Sequence, residues 1–145
     1  MTFKELLTEM MERKASDLHI RVGVRPILRV DGLLMQTDAP PMTVEQVDEI
    51  TAQILNEEQK RRFAARNEMD LALGVAKLGR FRLNLFRQRG TPGIAVRAVL
   101  TQIPTMADLC LPDVIRKLCL SRRGLIVLTG ATGSGKSTTL AAMLN

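Results

Sequence analysis

The residues best equipped for chemistry lie between positions 130 and 138. Gly130-Ala131-Thr132-Gly133-Ser134-Gly135-Lys136-Ser137 has the spacing G-x-x-x-x-G-K-[ST], and Thr138 follows it. Glycines at these positions let successive backbone N–H groups converge on an oxyanion with no Cβ in the way. A loop of this kind binds nucleotide phosphates through Gly130, Thr132, Gly133, Ser134, Gly135, Lys136, Ser137 and Thr138. Lys136, the one catalytic candidate in the loop, would bridge the β- and γ-phosphates of ATP, and Ser137 would offer its hydroxyl to Mg²⁺. Such a loop needs a buried strand before it and a helix after it, whose positive end faces the same anion. "LIVLT" (125–129), apolar on both faces, predicts the strand, and "TTLAAMLN" predicts the helix. The plainer alternative is a glycine-rich turn that binds nothing.

Binding phosphate is not hydrolysing it. A nucleotide hydrolase also needs a carboxylate on a neighbouring strand to hold Mg²⁺ and a group to place the attacking water. In the usual strand order both would follow Asn145, and a lone strand 125–129 would lack parallel neighbours for its hydrogen bonds. The expectation is a chain that is part of a longer protein, with an incomplete site that does not turn ATP over by itself.

A second set of candidates is a series of arginines on alternating segments. In "GRFRLNLFRQR" Phe81, Leu83 and Leu85 point one way, while Arg80, Arg82 and Asn84 point the other. One face is then core, and the opposite face carries arginines. Taken alone, such a face is usually just solvated.

The elements that must position these groups follow from periodicity and caps. Phe3, Leu6, Leu7, Met10 and Met11 recur at helical spacing behind a Thr2/Glu5 capping box. "SDLHIRV" alternates as a strand, and Asp31-Gly32 between apolar runs predicts a hairpin. Thr43/Gln46 and Asn56/Gln59 cap two further helices, the first striped by Val44, Val47, Ile50 and Ile54. Strands "MDLALGV", "GRFRLNLFRQR" and "GIAVRAVL" come next, with "QRGTPGI" read as a Gly/Pro loop. "LTQIPT" reads as a connector, and a helical stretch starting at Thr105 is interrupted at Pro112. Arg122, Arg123 and Gly124 then supply a helix end. This order predicts an α+β domain over residues 1–100 and a second unit over 101–145.

Composition narrows the function classes. The 145 residues are 46% hydrophobic and 25% charged, which suits a folded chain rather than a disordered one. The net charge of +6 invites acidic partners: nucleotide phosphates, nucleic acid or an anionic membrane surface. Trp and Tyr are absent and Phe occurs four times, too few aromatics for single-strand nucleic-acid stacking; a duplex-binding surface needs none and stays as an alternative, while the expectation is no nucleic-acid partner. Cys110 and Cys119 lack the clustered Cys/His partners of a zinc site and read as reduced thiols. No apolar run is long enough for a signal peptide or membrane span, so a cytoplasmic location without membrane insertion is expected.

Together, "SDLHIRVGVRPILRVDGLL", "GRFRLNLFRQRG", "GIAVRAVL" and "RRGLIVLTGATGSGKSTTLAAMLN" resemble the secretion-ATPase superfamily, and within it the pilus-retraction (twitching-motility) branch. The likeness runs along essentially the whole chain. It implies a PAS-like α/β domain followed by the first strand, P-loop and helix of a RecA-like ATPase domain. It also implies ATP and Mg²⁺ as cofactors, a homo-hexameric ring, and a place at the inner-membrane pilus base. In this superfamily arginines of the first domain reach nucleotide phosphates; the matching positions are Arg80, Arg82, Arg87 and Arg97. Asp17 and His19, in the "SDLH" block, are read as structural, Asp17 as a backbone hydrogen-bonding residue. Ala131 stands where the family commonly has proline, and the family's acidic motif, Mg²⁺ carboxylate and histidine motif have no counterpart here. The alternatives are a non-catalytic subunit-interaction module and part of a pilus-assembly or type II secretion ATPase.

Overall fold

The computed structural model describes residues 2–99, 103–131 and 134–145. It divides into two compact units, Met1–Val99 and Leu100–Asn145.

The first unit is α+β. Helix α1 (Phe3–Glu12) leads into strands β1 (Asp17–Arg21), β2 (Ile27–Val30) and β3 (Leu33–Gln36). Helices α2 (Val44–Ile54) and α3 (Glu57–Arg66) follow, then strands β4 (Glu68–Val75), β5 (Gly79–Gln88) and β6 (Thr91–Val99). All three expected capping boxes form: the side chains of Thr2, Thr43 and Asn56 each accept from the third helical N–H, and Glu5, Gln46 and Gln59 bond back. The caps set where each helix begins, and the apolar stripe sets which side turns inward. Met11, expected on that side of α1, is exposed instead.

The strands form one antiparallel sheet in the order β3-β2-β1-β6-β5-β4. Two-residue turns close the β2–β3 and β5–β6 hairpins. Asp31 and Gly32 both have positive φ (48° and 83°), and so do Arg89 and Gly90 (53° and 83°), as hairpin turns matching the strand twist require. The second turn corrects the expected "QRGTPGI" loop: the chain reverses in two residues, and Pro92 already lies in β6 opposite Arg87.

The sheet's two faces have opposite characters. One row runs Leu71, Leu83, Val96, Leu18, Leu28 across β4, β5, β6, β1 and β2, with each pair in register. It packs with Leu6, Leu7, Met10, Val47, Ile50 and Phe63 of the three helices into a single core. The next row runs Ala72, Arg82, Arg97, Asp17, Arg29 over the same strands and faces away from the helices. Side chains alternate along a strand, so neighbours in sequence divide between core and open face.

The second unit holds α4 (Asp113–Cys119) and α5 (Lys136–Leu144). Two expectations need correction here. The helical stretch from Thr105 is a single turn, bound by Thr105 to Asp108 and ended at Cys110, where φ is +51°. The predicted strand 125–129 is not a strand: no ladder partner lies beside it among the described residues, and Leu125 and Val127 are 88% and 67% exposed. An extended segment becomes a strand only when a neighbour takes up its N–H and C=O groups. Among the described residues no helix is long and apolar enough to cross a membrane.

Candidate functional site

Register builds a charged row on the open sheet face. Asp17 stands directly between Arg29 on β2 and Arg97 on β6, and Arg97 stands directly opposite Arg82 on β5. Arg97 Nε donates to Asp17 Oδ1 at 2.8 Å. Ser16 Oγ donates to Oδ2 at 2.8 Å, and Arg29 Nε lies 3.4 Å from that same oxygen. Asp17 is only 8% exposed. Burial pushes its carboxyl up, but the hydrogen bonds from Arg97 and Ser16 and the Arg97 charge outweigh this and hold it below the usual aspartate value. The expected backbone role for Asp17 is corrected: its carboxylate binds the side chains of Arg29 on β2, Arg97 on β6 and Ser16 just before β1.

Arg82 keeps its guanidinium in solvent, with Nε 3.7 Å from Asp70 Oδ1. Asp17, His19, Asp70, Arg82, Asn84 and Arg97 border an open groove of about 280 Å³. Arg80 lies on the same face one row on, opposite Val99, with no ion pair among the described residues. The groove thus offers two guanidinium forks, in a geometry suited to an oxyanion.

Arg87 is not part of that face. Counting by twos from Phe81 puts it with Leu83 and Leu85 on the helix side. There its guanidinium sits 5.7 Å from the Phe63 ring centroid and 3.3 Å from Asp48, and it donates to the Gly90 carbonyl. It ties α2 and α3 to β5 and lies on the opposite face from Arg80, Arg82 and Arg97, contrary to the expected grouping.

The glycine-rich loop lies in the second unit; of its candidate residues, Thr132 and Gly133 fall outside the described residues. Gly130 has φ +152°, and a Cβ built there would come 2.8 Å from Ser134 Oγ. Gly135 has φ +88° and caps α5 at its N-terminus. Both positions therefore need glycine for conformation, while the Ser134 hydroxyl could rotate away from a Cβ at position 130. Lys136 Nζ donates to the Gly130 carbonyl at 2.8 Å and also to the Ala131 carbonyl. Ser137 is exposed in the first turn of α5, with Thr138 beside it. An oxyanion above this loop would meet the first N–H groups of α5 and compete with the two carbonyls for the ammonium of Lys136. No cluster of metal-binding side chains forms among the described residues.

The family model "Type II/IV secretion system protein" matches residues 1–145. The type IV pilus ATPase PilU of Pseudomonas aeruginosa is 43% identical over 99% of this chain and 38% of its own length. The type IV pilus retraction ATPase PilT of the same organism is 39% identical over 100% of the chain and 42% of its own length. A crystal structure of the pilus retraction motor PilT with bound ADP superposes with a TM-score of 0.82 at 37% identity, over 99% of this chain and 42% of that one. The chain thus spans about two fifths of the length of these relatives. It belongs to the type II/IV secretion system protein family.

Proposed function

We propose that this chain is the N-terminal part of an ATP-driven motor that withdraws type IV pili. The observation that carries this reading is the likeness along 99% of the chain to a retraction motor that binds ADP. Residues 1–100 serve as a PAS-like domain. Residues 101–145 begin a RecA-like domain, with its P-loop (Walker A) at Gly130–Ser137. In that role the loop's N–H groups and Lys136 hold the ATP phosphates, and Ser137 ligates Mg²⁺. Arg82 and Arg97, with Arg80 beside them, neutralise charge on the phosphoryl group. The working form is a homo-hexamer at the cytoplasmic side of the inner-membrane pilus base.

By itself the chain binds nucleotide weakly and does not hydrolyse it, because the extended segment before the loop has no neighbouring strand to bring a Mg²⁺ carboxylate among the described residues. Titration calorimetry with ADP and ATP tests the binding, with Lys136→Ala as the comparison. Heat of binding that Lys136→Ala abolishes supports the loop assignment; identical titrations for both proteins refute it. For the motor, the chain joined to the remaining length of its relatives should restore twitching to a strain lacking its retraction motor. Its Lys136→Ala form should not.

A further inference from the structure

We propose that Asp17 is a positioning residue: its carboxylate holds Arg97 by Nε and so presents the outer nitrogens of that guanidinium, beside Arg82, to an oxyanion in the open groove. This rests on the nucleotide role proposed for the arginine face and assigns the group that makes that face work.

The two arginines bound to Asp17 are used differently. Arg29 is held at two points, with Nε facing Asp17 and Nη1 donating to the Gly32 carbonyl at 3.1 Å. Arg97 is anchored through Nε, while its side chain remains 70% exposed. A guanidinium held at Nε keeps its two terminal nitrogens for a fork onto a phosphate or carboxylate. Its cross-strand neighbour is another arginine, Arg82. Like charges directly opposite repel, and without an anchor Arg97 would swing away from Arg82 into solvent.

The anchor is also rigid. Ser16 N–H donates to the Arg29 carbonyl at 2.9 Å, and Ala98 N–H donates to the Ser16 carbonyl at 3.1 Å. The residue before Asp17 is thereby fastened to β2 and β6, the strands that carry its two arginines. Ser16 then supplies the hydroxyl that fills the second carboxylate oxygen.

The test uses the chain joined to the rest of the motor, with steady-state ATPase kinetics, melting temperature and the ¹⁵N-arginine Nε–H signal of Arg97. Asp17→Asn keeps the volume and one acceptor oxygen, so it is the variant least able to unfold the sheet. It should lower kcat about threefold or more, and Asp17→Ala about tenfold. Both should speed solvent exchange of the Arg97 Nε–H. The double variant Asp17→Asn/Arg97→Ala should be no slower than Arg97→Ala alone, because Asp17 acts through Arg97. Arg29→Ala, which removes the other partner of Asp17, should lower the melting temperature and leave kcat unchanged.

If Arg97→Ala is slow while both Asp17 variants stay within about twofold of the parent, Asp17 does not position Arg97, although the arginine face still serves nucleotide. Losses that multiply in the double variant, or a kcat loss in Arg29→Ala as large as in Asp17→Asn, would equally overturn it. If Arg97→Ala turns over normally, the arginine reading itself fails and this proposal with it.

Discussion

Leu83 and Arg82 are adjacent on β5 and separate the two faces of the sheet, so truncating each in turn measures what each face does. Leu83 is 0% exposed and sits between Leu71 and Val96 in the apolar row beneath the helices. Cutting it to alanine removes transfer free energy and leaves a hole that a rigid sheet closes poorly, a loss of about 3 kcal/mol. For a unit of this size that lowers the melting temperature by roughly 12–24 °C. Arg82 has a side chain 68% exposed, with one ionic contact at 3.7 Å to a half-exposed Asp70. A surface pair of that kind contributes about 0–1 kcal/mol, and removing Arg82 also relieves its repulsion with Arg97. Arg82→Ala should therefore melt within about 8 °C of the parent, short of the Leu83→Ala loss. Because Trp and Tyr are absent, the transition is best followed by far-UV circular dichroism or calorimetry rather than by intrinsic fluorescence. Equal destabilisation by the two variants would refute the division into core face and open face. A Leu83→Ala loss below about 1 kcal/mol would refute the packing described beneath it.

Three further outcomes are expected. Asp17 has a depressed carboxyl in the folded chain, so it adds stability above the unfolded aspartate value near pH 4, and this is lost as pH falls through the folded value; acid unfolding of Asp17→Asn should show a flatter dependence on pH below about 4 than the parent. Asn56→Ala removes the cap of α3, and Gly32→Ala forces a side chain onto a residue with φ +83°; each should cost about 1 kcal/mol in urea unfolding, and no change in either would count against that cap or that turn. Limited proteolysis should cut around Gln102–Thr105 or after Leu120, near the exposed 121–128 segment, before it touches β4, β5 or β6, with mass spectrometry of the first fragments as the measure.

What could be read in advance follows from how local each signal is. The three helix starts were legible because a cap and its return partner lie three residues apart. The Asp31-Gly32 hairpin was legible because both residues tolerate positive φ. The two faces of β5 were legible because alternation is a property of one strand. The same alternation puts Arg87 on the core side, a signal that was present but masked by grouping the arginines by charge. The Asp17 hub had no such signal. Its partners Arg29 and Arg97 lie 12 and 80 residues away, and only the pairing register of three strands brings them together. Segment 125–129 failed for the complementary reason: its composition suits a strand, but strand formation depends on a neighbour.

That unpaired segment also bears on how this chain behaves in concentrated solution. Leu125, Ile126 and Val127 are exposed, and the run is apolar, uncharged and free of proline, with β-branched Ile126 and Val127, a sequence able to add to another edge of its own kind. Arg122 and Arg123, one glycine before it, act as gatekeepers, since stacking copies in register would stack their charges too. At low salt that repulsion keeps copies apart, and at high salt it is screened. Self-association of this chain that grows with salt and disappears in Val127→Lys would therefore arise from a sticky strand and not from ring assembly.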